Sequence, residues 1–235
     1  MSGDEGAVVF GAALCGLAGM LVPRLVARIP ERLPVEEQGV SYAAVSRRPG
    51  LAWHCAVAAA TAGGLVGWSV GWAWPLLFLL PLVLVGVTLA VVDWHTRLLP
   101  TVIIWPALAG TALLAGVAAL LDADPGAWVR AAIGAAVVGG FFGLLWLVYP
   151  AGMGFGDVRL STLLGFALGY LGWAELVTGI YAAFLMFSVP GLLLAVIRRD
   201  RNLLRTSYPF GPFLLVGALV GIAAGPWVWG HLTGP

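Results

Sequence analysis

The chain has 235 residues, of which 61% are hydrophobic and only 10% are charged. Soluble domains carry about 25% charged residues, so this composition excludes a soluble globular protein and indicates one that spans a membrane. The formal net charge of +1 gives no reason to expect a nucleic acid or another polyanion as a partner. Two cysteines lie in apolar stretches and form neither a CxxC pair nor a zinc-binding set, and we expect no metal site.

Apolar stretches of about 20 residues, the length that crosses a bilayer, recur along the chain. They predict an all-α fold, a polytopic membrane helix bundle with about eight transmembrane helices. The predicted spans are Ala7–Ala27, Leu51–Gly71, Trp74–Val92, Thr101–Leu121, Trp128–Tyr149, Val158–Leu171, Trp173–Ile197 and Phe210–Trp229. The sixth is short for a full span, and a turn at Gly172 separates it from the seventh. We divide the chain into an N-terminal membrane region, 1–73, with a cytoplasmic loop at 28–50, and a second membrane domain, 74–235.

The basic residues are distributed unevenly between the two sides of the predicted bundle. All 12 are arginines, and only Arg130 falls on the side of the even-numbered connections. An excess of arginine marks the cytoplasmic side of a membrane protein. We therefore expect a multi-pass protein of the inner or plasma membrane, with both chain termini outside the cytoplasm.

Two aspartates stand at the ends of predicted spans. Asp93 ends the third span, and Asp157 begins the sixth, directly after three alternating glycines, Gly152, Gly154 and Gly156. Spans four and five form a hairpin that crosses the membrane outward and returns, so both aspartates lie at the cytoplasmic end of the bundle. An ionisable side chain beside a membrane span is costly and is by default a candidate for function.

Two carboxylates held close together share a proton, which is the arrangement that aspartyl peptide hydrolysis requires. The ionised partner accepts a proton from the attacking water, and the protonated partner polarises the scissile carbonyl. No metal ion and no covalent intermediate is needed. The glycines permit unusual backbone angles and close approach, so an extended substrate could lie against Gly152, Gly154 and Gly156.

Other interpretations of the aspartates remain open from the sequence. Asp157 could cap the N-terminus of the sixth helix, and Asp93 could pair with Arg97 or His95. His95 could also tune Asp93, although a solvated interfacial histidine is the simpler interpretation. At the level of the whole chain, one alternative is an ion- or proton-coupled transporter. A transporter site usually lies near the membrane midplane between repeats, and no internal repeat is visible.

The aspartates lie in sequence elements that resemble those of one family, the prepilin peptidases or type IV leader peptidases. Residues 93–100, Asp-Trp-His-Thr-Arg-Leu-Leu-Pro, are similar to its Asp-x-x-x-x-Leu/Ile-Leu/Ile-Pro element. Residues 152–160 resemble its Gly-x-Gly-x-Gly-Asp-x-Lys-Leu element, with Arg159 in place of the lysine. Residues 208–213, Tyr-Pro-Phe-Gly-Pro-Phe, are similar to its Pro-Phe-Gly-Pro-Phe run, and residues 19–30 resemble its N-terminal element weakly.

The resemblance implies an aspartyl endopeptidase embedded in the membrane. In this family's pattern Asp93 and Asp157 are the catalytic pair, and the substrates are type IV pilin-like precursors that lose a short leader on the cytoplasmic side. The implied partners are these precursors and the lipid bilayer, with no nucleic acid. Proteolysis by such a pair needs no cofactor. The resemblance also leaves open a second alternative for the whole chain, a catalytically silent scaffold of a pilus-type secretion apparatus.

Two departures from the family pattern are visible. Thr101 stands where the family usually has Asn or Asp after the proline, which questions a hydrogen bond in that loop. Many members also carry paired CxxC motifs in the first cytoplasmic loop, linked to N-methylation of the product, and residues 30–49 contain no cysteine. The missing cysteines argue against the use of S-adenosylmethionine.

Overall fold

The structure, a computed structural model, describes residues 5–31, 40–150, 153–198 and 209–233. The secondary structure of these ranges is helical. In chain order the helices are α1 (Glu5–Gly19), α2 (Val22–Ala27), α3 (Tyr42–Ser46), α4 (Leu51–Val70), α5 (Leu76–Thr96), α6 (Thr101–Leu121), α7 (Pro125–Val148), α8 (Phe155–Leu171), α9 (Trp173–Arg198) and α10 (Gly211–Thr233).

The predicted polytopic helix bundle is confirmed. In the described ranges, seven helical segments are long and apolar enough to cross a membrane. The remaining predicted span is α8, which begins at Phe155, three residues earlier than expected, and has 17 residues. At 1.5 Å per residue it is about 25 Å long, shorter than a hydrocarbon core of about 30 Å.

The first predicted span, Ala7–Ala27, is divided into two helices rather than one. Helix α1 ends at Gly19, and α2 starts at Val22 after a turn at Met20 and Leu21. Pro23 explains the break, because proline has no backbone N–H to donate and its ring clashes with the carbonyl four residues earlier. Glu5–Ala27 still forms one candidate membrane span, so the predicted span agrees with the structure although it consists of two helices.

The first polar connection holds a short helix that the sequence did not predict. Residues 32–39 of this connection lie outside the described ranges, but α3 follows them. Ser41 caps α3, since its Oγ accepts a hydrogen bond from the Ala44 N–H at 3.0 Å. Tyr42 and Val45 of α3 are fully buried and pack in one cluster with Val22 and Val92. The connection therefore packs onto α5 close to Asp93.

Small residues allow three helix pairs, α1 with α4, α7 with α8 and α9 with α10, to pack most extensively. A Cβ at Gly11 of α1 would collide with the backbone carbonyl of Gly63 in α4, and one at Gly134 of α7 would lie 2.5 Å from the Gly165 oxygen in α8. Membrane helices associate through such close backbone approach, because lipid offers no hydrophobic driving force between them.

Helix α8 lies inside the bundle and is fastened at its C-terminal end by an arginine. Most of its residues are buried, and only Gly172 separates it from α9. Arg130 of α7 donates from Nε to the Gly169 carbonyl at 2.9 Å and from Nη2 to the Tyr170 carbonyl at 2.7 Å. These bonds satisfy carbonyls that the last turn of a helix leaves without a partner.

Candidate active site

Both aspartates lie where α5 ends and α6, α8 and α10 begin, which we call the aspartate end of the bundle. Helix α5 continues to Thr96, so Asp93 lies in its last turn rather than after its end. Arg97 terminates the helix in a left-handed conformation, with φ of 55°, and its N–H bonds to the Asp93 carbonyl at 2.8 Å. The predicted boundary at Val92 was therefore four residues short.

The Asp93 carboxylate faces the first residue of α10. Its side chain is 4% exposed, and Oδ2 accepts a hydrogen bond from the Gly211 N–H at 3.1 Å. A Cβ at Gly211 would lie 2.6 Å from that oxygen, so only glycine permits this approach. The contact explains why a glycine stands in the Pro-Phe-Gly-Pro run: the N-terminus of α10 is held directly against the carboxylate.

A group of phenylalanines holds the start of α10 in place. The Phe210 ring lies 4.9 Å from Phe187, 5.5 Å from Phe184 and 6.0 Å from Phe142, measured between ring centroids. Phe142 is fully buried in α7, and the other two belong to α9. The rings anchor Phe210, and through it they fix the neighbouring Gly211 N–H against Asp93.

Asp157 occupies the first turn of α8 and is 8% exposed. Its carboxylate accepts a backbone hydrogen bond from Gly154, the N-cap residue, and lies within electrostatic range of the Asp93 carboxylate. The first bond matches the reach of an acidic residue back to a helix N-cap, so the capping role weighed from the sequence is present. The second interaction indicates that the two aspartates of the sequence hypothesis lie at the same end of the bundle.

The three glycines of the predicted substrate loop have different surroundings. Gly152 lies outside the described ranges. Gly154 is exposed, and a Cβ there would lie 3.6 Å from Asp157 Oδ2, an ordinary contact. Gly156 belongs to the first turn of α8, and a Cβ there would lie 2.7 Å from the Leu99 Cβ. At Gly156 the absence of a side chain therefore allows α8 to pack on the segment that follows α5.

A second contact joins the same two segments. The Arg159 guanidinium of α8 donates from Nη1 to the hydroxyl of Thr101, the first residue of α6. The same guanidinium lies 4.6 Å from the centroid of the Phe155 ring, which in turn lies 4.9 Å from the Trp146 ring of α7. The two residues that depart from the family pattern, Arg159 and Thr101, thus bond to each other.

His95 contacts its own helix rather than Asp93. Its Nδ1–H donates to the Val91 carbonyl at 2.8 Å, one turn earlier in α5. Asp93 receives its hydrogen bond from Gly211 instead, which the sequence analysis did not anticipate. The Pro-Phe-Gly-Pro run was visible in the sequence, but no local signal indicated which residue its glycine would contact. The same holds for Arg159, whose partner is 58 residues away.

Comparison with known proteins agrees with the arrangement of these elements. Residues 77–197 match the model of the type IV leader peptidase family, a range that includes both aspartates. The chain is 30% identical over 175 residues to a prepilin leader peptidase/N-methyltransferase of Pseudomonas putida, covering 70% of this chain and 56% of that protein. It is 28% identical to a protein of the same name from Pseudomonas aeruginosa, covering 74% of this chain and 57% of the relative.

The chain spans just over half the length of the curated relatives it matches. No solved structure matches it.

Proposed function

The chain belongs to the type IV leader peptidase family, and from this premise we propose that it is a membrane aspartyl endopeptidase that removes the leader of type IV pilin-like precursors. The observation that carries the proposal is the placement of Asp93 and Asp157. Both carboxylates are almost completely buried, they come from α5 and α8, and they lie within electrostatic range of each other. The names of the relatives point to the same reaction.

In the proposed mechanism the two carboxylates share one proton. The ionised member takes a proton from a water molecule, and the water oxygen attacks the scissile carbonyl carbon. The protonated member donates a hydrogen bond to the carbonyl oxygen and then helps to protonate the leaving amine. We assign the proton to the pair rather than to one aspartate, because strongly coupled groups titrate together.

Replacement of each aspartate by asparagine tests the mechanism. Asn keeps the shape of Asp and can still accept the backbone bonds from Gly211 and Gly154, so folding is preserved. It cannot act as a base or share the proton, and a general acid–base step contributes typically about 10²–10⁴-fold. Asp93→Asn and Asp157→Asn should each abolish leader removal from a co-expressed prepilin of Pseudomonas aeruginosa, measured by gel mobility, with the enzyme quantified by blot.

The exposed carboxylate of Asp122, at the far end of α6, supplies the matched control. Asp122→Asn should process the precursor at the wild-type rate. Because the catalytic pair acts as a unit, the double variant should be scarcely worse than either single variant. If Asp157 were only a helix cap, asparagine would replace it well and processing would continue. That result would leave the peptidase proposal without a mechanism.

We also propose that the aspartate end faces the cytoplasm, on the basis of the arginine distribution. The connection that includes residues 199–208 contributes to this count and lies outside the described ranges. Cysteines introduced at His95, Phe155 and Asn202 should react with a membrane-impermeant maleimide only after the cells are opened. The native Cys15 and Cys55 are buried and give little background. Labelling of residue 155 in intact cells would place the catalytic pair on the wrong side.

The relatives are named N-methyltransferases as well as peptidases, and we propose that this chain lacks the second activity. The reason is the cysteine-free segment 30–49, which in many members carries CxxC motifs. Mass spectrometry of a precursor matured by this chain alone should show an unmodified N-terminal amine. An added methyl group would refute this part of the proposal and would implicate S-adenosylmethionine.

A further inference from the structure

One contact at the aspartate end has no part in the proton transfers described above. Arg159 lies two residues after Asp157, and its guanidinium donates to the Thr101 hydroxyl at the start of α6. A short connection links Thr101 to the last turn of α5, and Asp93 lies in that turn. The bond therefore joins the chain segment that carries one aspartate to the segment that carries the other.

The guanidinium is held from two directions. Its carbon lies 4.6 Å above the Phe155 ring, a cation–π geometry, while Nη1 reaches Thr101. The Phe155 ring contacts Trp146 near the end of α7. Because the guanidinium is planar and rigid, a side chain fixed on both sides in this way sets the distance and rotation of its helix more strictly than a flexible ammonium would.

We propose that Arg159 and Thr101 are positioning residues that set the separation of the Asp93 and Asp157 carboxylates. This inference rests on the peptidase activity proposed above. Neither residue has a proton-transfer step in the proposed mechanism; each acts through the segment that carries its aspartate. The Gly156 contact with Leu99 packs the same two segments together. The Arg159–Thr101 bond sets the orientation of one segment relative to the other.

The proposal predicts that the effects of substitutions at positions 159 and 101 on the rate depend on each other. Lysine at position 159 would have an ammonium, which lacks both the paired N–H donors and the planar face of the guanidinium. A threonine hydroxyl is a weak hydrogen-bond partner for that ammonium. An aspartate at position 101 would give that ammonium a charged acceptor. Arg159→Lys should therefore lower the rate, and Thr101→Asp in the same chain should restore part of it.

The experiment measures kcat and KM for the purified full-length chain in lipid vesicles, with a Pseudomonas aeruginosa prepilin as the substrate. Thr101→Val removes only the hydroxyl and keeps the shape, so it should fold even if larger changes do not. A small displacement of reacting groups is expected to cost on the order of 10- to 100-fold. Thr101→Val and Arg159→Lys should each show that loss in kcat. KM should change by less than about threefold, because neither variant alters the groups that bind the substrate.

Arg130 provides the matched control, because this α7 residue donates hydrogen bonds to the C-terminal end of α8, opposite to the end where Arg159 lies. Arg130→Gln should lower the unfolding temperature while kcat of the folded enzyme stays at the wild-type value. A purely structural role for Arg159 would give the same pattern at both arginines. The proposal is overturned if Thr101→Val keeps wild-type kcat, or if Arg159→Lys with Thr101→Asp is no faster than Arg159→Lys alone. If the wild-type chain itself fails to remove the leader, the proposed function fails rather than this inference.

Discussion

The two ends of α8 are both fastened by an arginine, but in different ways. At the C-terminal end, Arg130 donates to the backbone carbonyls of Gly169 and Tyr170. At the N-terminal end, Arg159 donates to the side-chain hydroxyl of Thr101, and a glycine packs on Leu99. The C-terminal end is held through backbone carbonyls, which every residue carries. The N-terminal end is held through particular side chains.

We expect the contacts at the C-terminal end of α8 to contribute mainly to stability, and those at the N-terminal end to contribute mainly to the positions of the aspartates. Backbone carbonyls at a helix C-terminus need partners in any sequence, so the Arg130 bonds stabilise the fold without fixing a particular neighbour. The contacts at the N-terminal end join the segments that carry Asp157 and Asp93, and under the positioning proposal they depend on the particular side chains present. We therefore expect substitutions at the N-terminal end to affect turnover, and those at the C-terminal end to affect the free energy of unfolding.

The largest effect among the packing contacts is expected for Gly211→Ala. The added Cβ would lie 2.6 Å from Asp93 Oδ2, so either the carboxylate or the start of α10 must move. A displacement of this kind at a reacting group costs on the order of 100-fold in kcat. Single-turnover cleavage of a prepilin by the purified variant measures the loss.

Gly110→Ala is the control for this substitution. Gly110 lies in the middle of α6, where an added Cβ meets no atom within 4 Å among the described residues. It should leave cleavage unchanged and slightly stabilise the helix, because alanine is the better helix former. Equal rates for the Gly211→Ala and wild-type enzymes would show that the contact with Asp93 has no role in catalysis.

A smaller loss is expected for Gly156→Ala. Its Cβ would lie 2.7 Å from the Leu99 Cβ, which is close to the backbone and has little room to move. The segments that carry the aspartates must then move apart, and we expect kcat to fall on the order of 10-fold. Steady-state kinetics should show this loss with the amount of folded protein unchanged; a loss of folded protein alone would assign Gly156 to stability.

Arg130→Gln tests the other end of α8. It removes a guanidinium that donates to two carbonyls, and each hydrogen bond from a charged group contributes about 1.5–3 kcal/mol. Because the glutamine amide can still donate to one carbonyl, the free energy of unfolding should fall by about 1.5–3 kcal/mol, measured by denaturant titration in detergent. A fall in kcat of the folded enzyme, rather than in stability, would remove the distinction between the two ends.

The smallest effect is expected for Gly154→Ala. An added Cβ would lie 3.6 Å from Asp157 Oδ2, which is an ordinary contact, and the backbone of Gly154 is in an extended conformation open to any residue. Both kcat and KM should remain near their wild-type values. A marked rise in KM would show instead that substrate lies directly against Gly154, as the sequence hypothesis of a substrate loop holds.

The bundle was largely predictable because membrane spans are encoded locally. A span needs a continuous apolar stretch, and Thr101–Leu121 was predicted to the residue. The structure departs from the prediction at helix ends and at one proline. Asp93 lies inside α5 because the helix continues through polar residues to Thr96, and Pro23 divides the first span. Helix ends depend on caps and neighbouring elements rather than on hydropathy.

The two candidate catalytic residues could be predicted from the sequence, because aspartates beside apolar spans are costly enough to need a reason and their elements resemble those of one family. The contacts that hold them could not be predicted in this way. Gly211 is 118 residues from Asp93, and Thr101 is 58 residues from Arg159. No local pattern encodes such pairs, because each bond exists only where packed helices bring distant chain segments to the same end of the bundle.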